Sequence, residues 1–141
     1  MDSRGARRVG LIYLDSCIII DATLSTGPNG DSARMAIGRM DDEQRLVTSP
    51  LVDLECMVQP LRGGNRGRID AIRSSLARFA HVNITPRAYE LAAHMRAVHG
   101  LKTPDAIHTA AASLNGCVAM WTSDKVLLRA MPSFAVNPYE S

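Results

Sequence analysis

The sequence predicts an α/β fold, a three-layer sandwich with a central, mostly parallel sheet flanked by helices. Short aliphatic runs alternate with segments of helical periodicity, the pattern of a parallel sheet covered on both faces. A Ser/Thr-Pro pair opens three of the helical segments, at Ser49-Pro50, Thr85-Pro86 and Thr103-Pro104. Each pair combines an N-cap side chain with proline at the first helical position. At 141 residues the chain has the length of one domain, and 1–141 are expected to form a single domain.

Residues 9–14, Val-Gly-Leu-Ile-Tyr-Leu, read as a buried strand, and 16–23 as a short helix. Residues 25–31 hold Gly27, Pro28, Asn29 and Gly30 and read as a loop. A helix is expected over 32–42, with Ala33, Ala36, Ile37 and Met40 on one face. A strand at 46–48 leads into a helix from Ser49 to about Val58, disturbed by Pro60. Residues 62–67, Arg-Gly-Gly-Asn-Arg-Gly, read as a flexible connector. Residues 69–79 form a helix with Ile69, Ile72, Leu76 and Phe79 on one side, and 82–84 a short strand. The helix capped by Thr85 runs to His99, where Gly100 stops it, and the one capped by Thr103 runs to about Leu114. Residues 117–121 form a strand, 124–129 a final helix and 134–136 an edge strand.

Composition narrows the function. No apolar run approaches the roughly 18 residues of a membrane span, and the first ten residues show no secretory signal, so the cytoplasm is the expected compartment. Cys17, Cys56 and Cys117 are odd in number and widely spaced, which suggests neither a disulfide framework nor a zinc ribbon. The net charge of +2 does not by itself argue for nucleic acid. Its distribution says more: Arg62, Arg66, Arg68, Arg73 and Arg78 fall in one stretch opposed only by Asp70, and Arg4, Arg7 and Arg8 form a second group. Arginine makes bidentate contacts to phosphate that lysine cannot; the plainer explanation is a solvated helix face.

Four acids carry the chemistry. Asp15 ends the first strand, Glu55 lies just inside the helix after the second, and Asp105 and Asp124 stand near later helix starts. In an open parallel sheet the strands' carboxyl ends share one edge, where ligands bind. Aspartate near a helix start has an ordinary explanation in capping and the helix dipole. Glu55 lies beyond the first turn among Leu54, Cys56, Met57 and Val58, where an unpaired carboxylate is costly. Two carboxylates about 4 Å apart repel by roughly 4 kcal/mol at an effective dielectric near 20. An oxygen-preferring cation, Mg²⁺ or Mn²⁺, reverses that sign.

Tyr13-Leu14-Asp15-Ser16-Cys17-Ile18-Ile19-Ile20-Asp21 resembles the opening motif of PIN domains, and Leu51-Val52-Asp53-Leu54-Glu55 their second. Thr103-Pro104-Asp105-Ala106-Ile107-His108-Thr109-Ala110-Ala111 resembles their third and Thr122-Ser123-Asp124-Lys125 their fourth, with Ser123 where asparagine is common. A chain of this size most resembles the VapC toxins of toxin–antitoxin pairs. The resemblance implies a PIN-like sandwich and a metal-dependent endoribonuclease that inhibits translation or growth, leaving a 5′-phosphate and a 3′-hydroxyl. It implies that Asp15 and Asp105 hold the principal Mg²⁺ or Mn²⁺, with Glu55 and Asp124 completing the catalytic site. His108 shares a face with Asp105 and is expected to be a packed structural residue; Asp21 is expected at the surface.

Expected partners are an RNA substrate, gripped by Arg62, Arg66, Arg68 and Arg73, and a cognate VapB-like antitoxin. The antitoxin is expected along helices 32–42 and 49–58, which carry Met35, Met40, Leu51, Leu54 and Met57, although Leu54 also suits the core. A homodimer is expected, or a heterotetramer or larger assembly with antitoxin. The competing class is a non-catalytic PIN-like RNA-binding module, against which all four acids argue. A haloacid-dehalogenase-like phosphatase would need an aspartate where Cys17 stands, and a receiver domain an early acidic pair.

Overall fold

The computed structural model describes residues 10–40, 42 and 45–140. In chain order the elements are β1 (Leu11–Leu14), α1 (Ser16–Leu24), α2 (Pro28–Gly38), β2 (Leu46–Thr48), α3 (Pro50–Gly63) and α4 (Arg66–Leu76). They continue as β3 (Ala80–His81), α5 (Pro86–His99), α6 (Thr103–Leu114), β4 (Cys117–Trp121), α7 (Lys125–Ala130) and β5 (Ala135–Val136). The sheet order is β3-β2-β1-β4-β5 and every pairing is parallel. This is the α/β sandwich expected.

The order places the site. From β1 the chain moves outward through β2 to β3, then returns across the sheet to β4 and β5 on the other side of β1. Parallel crossovers are almost always right-handed, so reversing direction moves the helices to the other face. Accordingly α1 contacts α2, α3 and α4, α3 contacts α4, and α5 packs on α6. Direction reverses between β1 and β4, the switch point where such sheets open a crevice at their carboxyl ends. Tyr13, Leu14, Leu46 and Met120 are fully buried in the sheet, and Ile18, Ile19, Val52, Ile72 and Leu127 bury helix faces on it.

Several local expectations are corrected. The 25–31 segment is not all loop: α2 starts at Pro28 with Gly27 as N-cap, and it ends at Gly38. Gly30 sits in its first turn because a Cβ there would run into the Ser25 carbonyl. The helix expected to fail near Pro60 continues to Gly63. Val52, Cys56 and Pro60 form one buried face at four-residue spacing, and its packing outweighs the hydrogen bond that proline cannot donate. The 62–67 connector shrinks to Gly64-Asn65: Gly64 ends α3 at φ 68°, and the Asn65 side chain caps α4 by accepting from Arg68 N at 3.1 Å. Thr103 is inside α6, whose N-cap is Lys102.

The third strand is Ala80–His81, not 82–84. It is an edge strand whose residues are exposed, so backbone pairing rather than apolar content sets its limits. Val82 adds one last bond, its N donating to Thr48 O at 2.8 Å. Leu54 is 60% exposed rather than in the core, and Met35 is 54% exposed. Met40, Leu51 and Met57 pack partly against the core. Val9 and the arginines at 4, 7 and 8 lie outside the described residues. Among the described residues no helix is long and apolar enough to cross a membrane.

Candidate active site

Asp15 occupies the switch point. It follows β1, caps α1, and accepts from Ser16 N at 2.8 Å through Oδ1. Its Oδ2 accepts from the Thr122 hydroxyl at 2.7 Å, and its backbone N donates to Trp121 O at 3.0 Å. These bonds stitch the end of β1 to the end of β4 and compensate for burial that leaves Asp15 only 7% exposed. Thr122 also accepts from Asp124 N at 3.1 Å, so one buried hydroxyl fixes two of the acids. Asp124 caps α7, its Oδ1 accepting from Val126 N at 2.8 Å and Leu127 N at 3.3 Å.

Glu55 projects from the second turn of α3, and its Oε1 accepts from His108 Nε2 at 2.7 Å. Burial raises its pKa, but the hydrogen bond and favourable electrostatics of His108, with a bond from Ser16, outweigh burial and hold it below the usual carboxylate range. Asp105, in the first turn of α6, is pushed the other way, to about 6. The causes are burial first, then repulsion from Asp124 and Asp15, a counteracting attraction from His108, and repulsion from Glu55. Asp105 therefore lies within electrostatic reach of Asp15, Glu55 and Asp124, acids on elements up to 109 positions apart in the chain.

The tightest part of the cluster differs from the expected pair. One ligand-capable atom each from Asp15, Glu55 and His108 lies within 4.8 Å of the others. Asp105 and Asp124 stand outside this group. Carboxylate oxygens gathered in a partly buried site, where burial and then mutual repulsion lift Asp105 to about 6, fit a hard divalent cation.

His108 is 1% exposed and packed, as expected, but it is also bonded into the site. Tyr13, Ser49 and Thr122 were not singled out from the sequence. A tyrosine within an aliphatic strand was the available signal for the first; Ser49 was read only as a cap, and its Oγ does accept from Val52 N at 3.4 Å. Ser123 donates to Cys17, its Oγ 3.5 Å from Sγ, and that Sγ lies 3.8 Å from Asp15 Oδ2. Burial, with Asp15 next, raises the Cys17 thiol to about 11, which leaves it unsuited as a nucleophile. Asp21 is a half-buried tether, accepting from Ser25 Oγ at 2.9 Å and Tyr139 OH at 2.6 Å. Asp53 points elsewhere and pairs with His81 at 2.7 Å. Arg62, Arg66, Arg68 and Arg73 are exposed on the end of α3 and along α4. Arg66 is 3.9 Å from Asp70 in an open surface pair worth little.

Thr122→Val tests the stitch between the acids. It keeps the shape and removes the donor to Asp15, and a hydrogen bond to a charged group contributes about 1.5–3 kcal/mol. A loss of that size is expected in urea unfolding; an unchanged midpoint would mean that Ser16 N alone satisfies Asp15.

The fold and the site define a class: parallel α/β domains that gather carboxylates at the carboxyl edge of their central strands. The chain belongs to the PIN domain family, whose model matches residues 12–131. No curated protein matches the chain. Among solved structures it is similar to a toxin–antitoxin complex from Klebsiella pneumoniae, at 26% identity and TM-score 0.75 over 92% of this chain and 99% of that one. The fold also matches VapC20 of Mycobacterium tuberculosis, a Sarcin-Ricin-loop-cleaving toxin, at 16% identity and TM-score 0.69 over 85% and 95% of the two chains. FitAcB of Neisseria gonorrhoeae matches at 15% identity and TM-score 0.70 over 93% and 100%. The fold is thus VapC-like, and PIN domains are generally nucleases.

Proposed function

We propose that residues 1–141 form one PIN domain acting in the cytoplasm as a divalent-metal-dependent endoribonuclease, the toxin of a type II toxin–antitoxin pair. The carrying observation is the gathering of Asp15, Glu55 and His108 within 4.8 Å at the switch point, with Asp105 and Asp124 near enough for Asp15, Glu55 and Asp124 to add to the burial that raises Asp105. Asp15 and Asp105 would hold Mg²⁺ or Mn²⁺, with Glu55 and Asp124 completing the shell. The bound cation supplies positive charge against the phosphate and makes water a better nucleophile near neutral pH. The chain's own part is positional. Thr122 and Ser16 N hold Asp15, the α7 N-terminus holds Asp124, and Glu55 is held by a buried ring. Hydrolysis would leave a 5′-phosphate and a 3′-hydroxyl and so stop translation or growth. Sequencing RNA ends after expression tests this: ends of the opposite polarity, or full activity in EDTA, would exclude it. RNA binding without cleavage by metal-loaded protein would instead favour the non-catalytic module.

Acids repel a polyanion, so cations must flank them, and exposed Arg62, Arg66, Arg68 and Arg73 are the candidates. Their quadruple alanine variant is expected to weaken binding across RNA sequences and flatten its salt dependence by roughly one unit per lost phosphate contact. An unchanged slope would make the patch a solvated face.

A free ribonuclease of this kind would be toxic, and the Klebsiella neighbour is a toxin–antitoxin complex, which supports a VapB-like antitoxin partner. A cleft of about 240 Å³ opens where Ile19 and Ala22 of α1, Ile37 of α2 and Phe79 meet; of the two segments expected to receive an antitoxin tail, 32–42 lines it through Arg34, Ile37 and Gly38, and 49–58 does not. For the homodimer, Leu54, Val58 and Leu61 form an exposed stripe along α3, and Tyr89 and Val98 are exposed on α5. Co-expression with the adjacent gene product should suppress toxicity and yield a complex on gel filtration, and sedimentation should show a dimer. Persistent toxicity without a complex would defeat the antitoxin assignment.

A further inference from the structure

A buried chain of side chains reaches the acidic site from behind. Ser49 Oγ lies 2.7 Å from Tyr13 OH, Tyr13 OH lies 2.6 Å from His108 Nδ1, and His108 Nε2 lies 2.7 Å from Glu55 Oε1. The chain joins β1, the α3 N-cap, α6 and the second turn of α3. Tyr13 and Ser49 are fully buried and His108 is 1% exposed, while the Glu55 side chain is 25% exposed. Every link is a good hydrogen bond, and the protons can be placed without conflict. Ser49 O–H donates to the Tyr13 oxygen, Tyr13 O–H to Nδ1, and Nε2–H to the Glu55 carboxylate.

We infer that His108 is a positioning residue of the acidic site, fixing the Glu55 carboxylate where it would help to hold the cation, with Tyr13 and Ser49 fixing the ring. The inference rests on the nuclease reading above. Any buried histidine needs partners for its ring nitrogens; what marks this one is that Nε2 is spent on a carboxylate of the acidic cluster, Glu55, while Tyr13 fixes Nδ1. The Tyr13 and His108 rings also pack, with centroids 5.6 Å apart, which restricts rotation. His108 Nε2 is 4.0 Å from Asp15 Oδ1, so the ring that aims Glu55 also lies beside the second acid of the cluster. Direct ligation by His108 is disfavoured because its Nε2 would have to release Glu55. Glu55 needs this hold: it is on a different element from the other acids, and three side-chain torsions separate its carboxylate from the backbone. Partners that orient a metal's ligands typically change affinity or activity by about 10–100-fold when removed.

The experiment compares full-length wild type with His108→Leu, which keeps bulk but no donor, His108→Gln, whose amide N can take the place of Nε2, and Tyr13→Phe. Calorimetric Mn²⁺ titration, RNA-cleavage kinetics and ¹⁵N NMR of the ring are the readouts. His108→Leu should lose about 10–100-fold in Mn²⁺ affinity and lose kcat with KM for RNA nearly unchanged. His108→Gln should recover part of both, and Tyr13→Phe should fall between. In wild type the Nε2–H resonance should exchange slowly and shift on Glu55→Gln. Wild-type Mn²⁺ affinity and kcat in His108→Leu would overturn the inference, as would ¹⁴N coupling from His108 in the Mn²⁺ resonance spectrum, which marks a direct ligand. Should His108→Leu fail to fold, Tyr13→Phe and His108→Gln decide on the same readouts. If wild-type protein neither binds Mn²⁺ nor cuts RNA, the nuclease reading fails by itself. The Nε2–H resonance then decides separately whether His108 holds Glu55: no shift on Glu55→Gln overturns that hold.

Discussion

Asp105→Asn is expected to abolish RNA cleavage and to remove a pH-dependent weakness of the metal-free protein. The activity loss should exceed the roughly 10–100-fold cost of removing a supporting partner, because a proposed ligand and its charge are lost at constant volume. The stability effect follows from the raised pKa. Asp105 titrates near 3.8 in an unfolded chain and near 6 in the fold, so between those values the folded state binds more protons than the unfolded state. Stability contributed by this group is present below about 3.8, falls as pH rises through the window, and is gone above about 6. Asparagine has no such titration. Urea unfolding of metal-free protein across pH 4–7 should show a downward component in wild type that is missing in Asp105→Asn. The substitution also removes a favourable acid from the first turn of α6, worth about 0.3–1 kcal/mol, so the slope rather than the absolute stability is diagnostic. Parallel pH profiles for the two proteins would contradict the raised pKa of Asp105.

Addition of Mn²⁺ or Mg²⁺ should raise the melting temperature of the wild type. At about 100 times the dissociation constant, binding to the folded state alone contributes roughly 2.7 kcal/mol, or about 5–10 °C for a domain of this size. The cation would compete with the proton on Asp105, so the gain should be larger at pH 7.5 than at pH 5. Asp105→Asn and Asp15→Asn should lose most of it. A melting curve unmoved by millimolar Mn²⁺ at pH 7.5, together with undiminished cleavage in EDTA, would leave the carboxylates without a metal role.

The elements legible in the sequence were those specified by local chemistry. Ser49-Pro50 starts α3 as read, the Ser49 side chain accepting from Val52 N, and Gly100, at φ 67°, stops α5. The aliphatic run at β1 and the Cys117–Trp121 strand were legible because buried parallel strands need continuous apolar residues. The misreadings arose where a contact distant in sequence overrode a local rule. Pro60 stays helical because its face is buried, Gly30 because the Ser25 carbonyl passes against it, and β3 pairs through the backbone of exposed residues.

The same division runs through the site. The sequence by itself determined the sheet class and pointed to the four acids, since each acid sits in a short motif at a strand end or helix start. Only the tertiary structure decided which of them lie closest and what holds them. It brought Glu55, rather than Asp105, into the tight group with Asp15, and it supplied Thr122, Tyr13, Ser49 and His108 as partners. Those hydrogen bonds join residues 107, 36, 95 and 53 positions apart. No local pattern encodes such pairs, because they depend on β4 returning beside β1 and on α3 and α6 meeting behind it. A buried polar group must find a partner, and the strand order settles which partner is within reach.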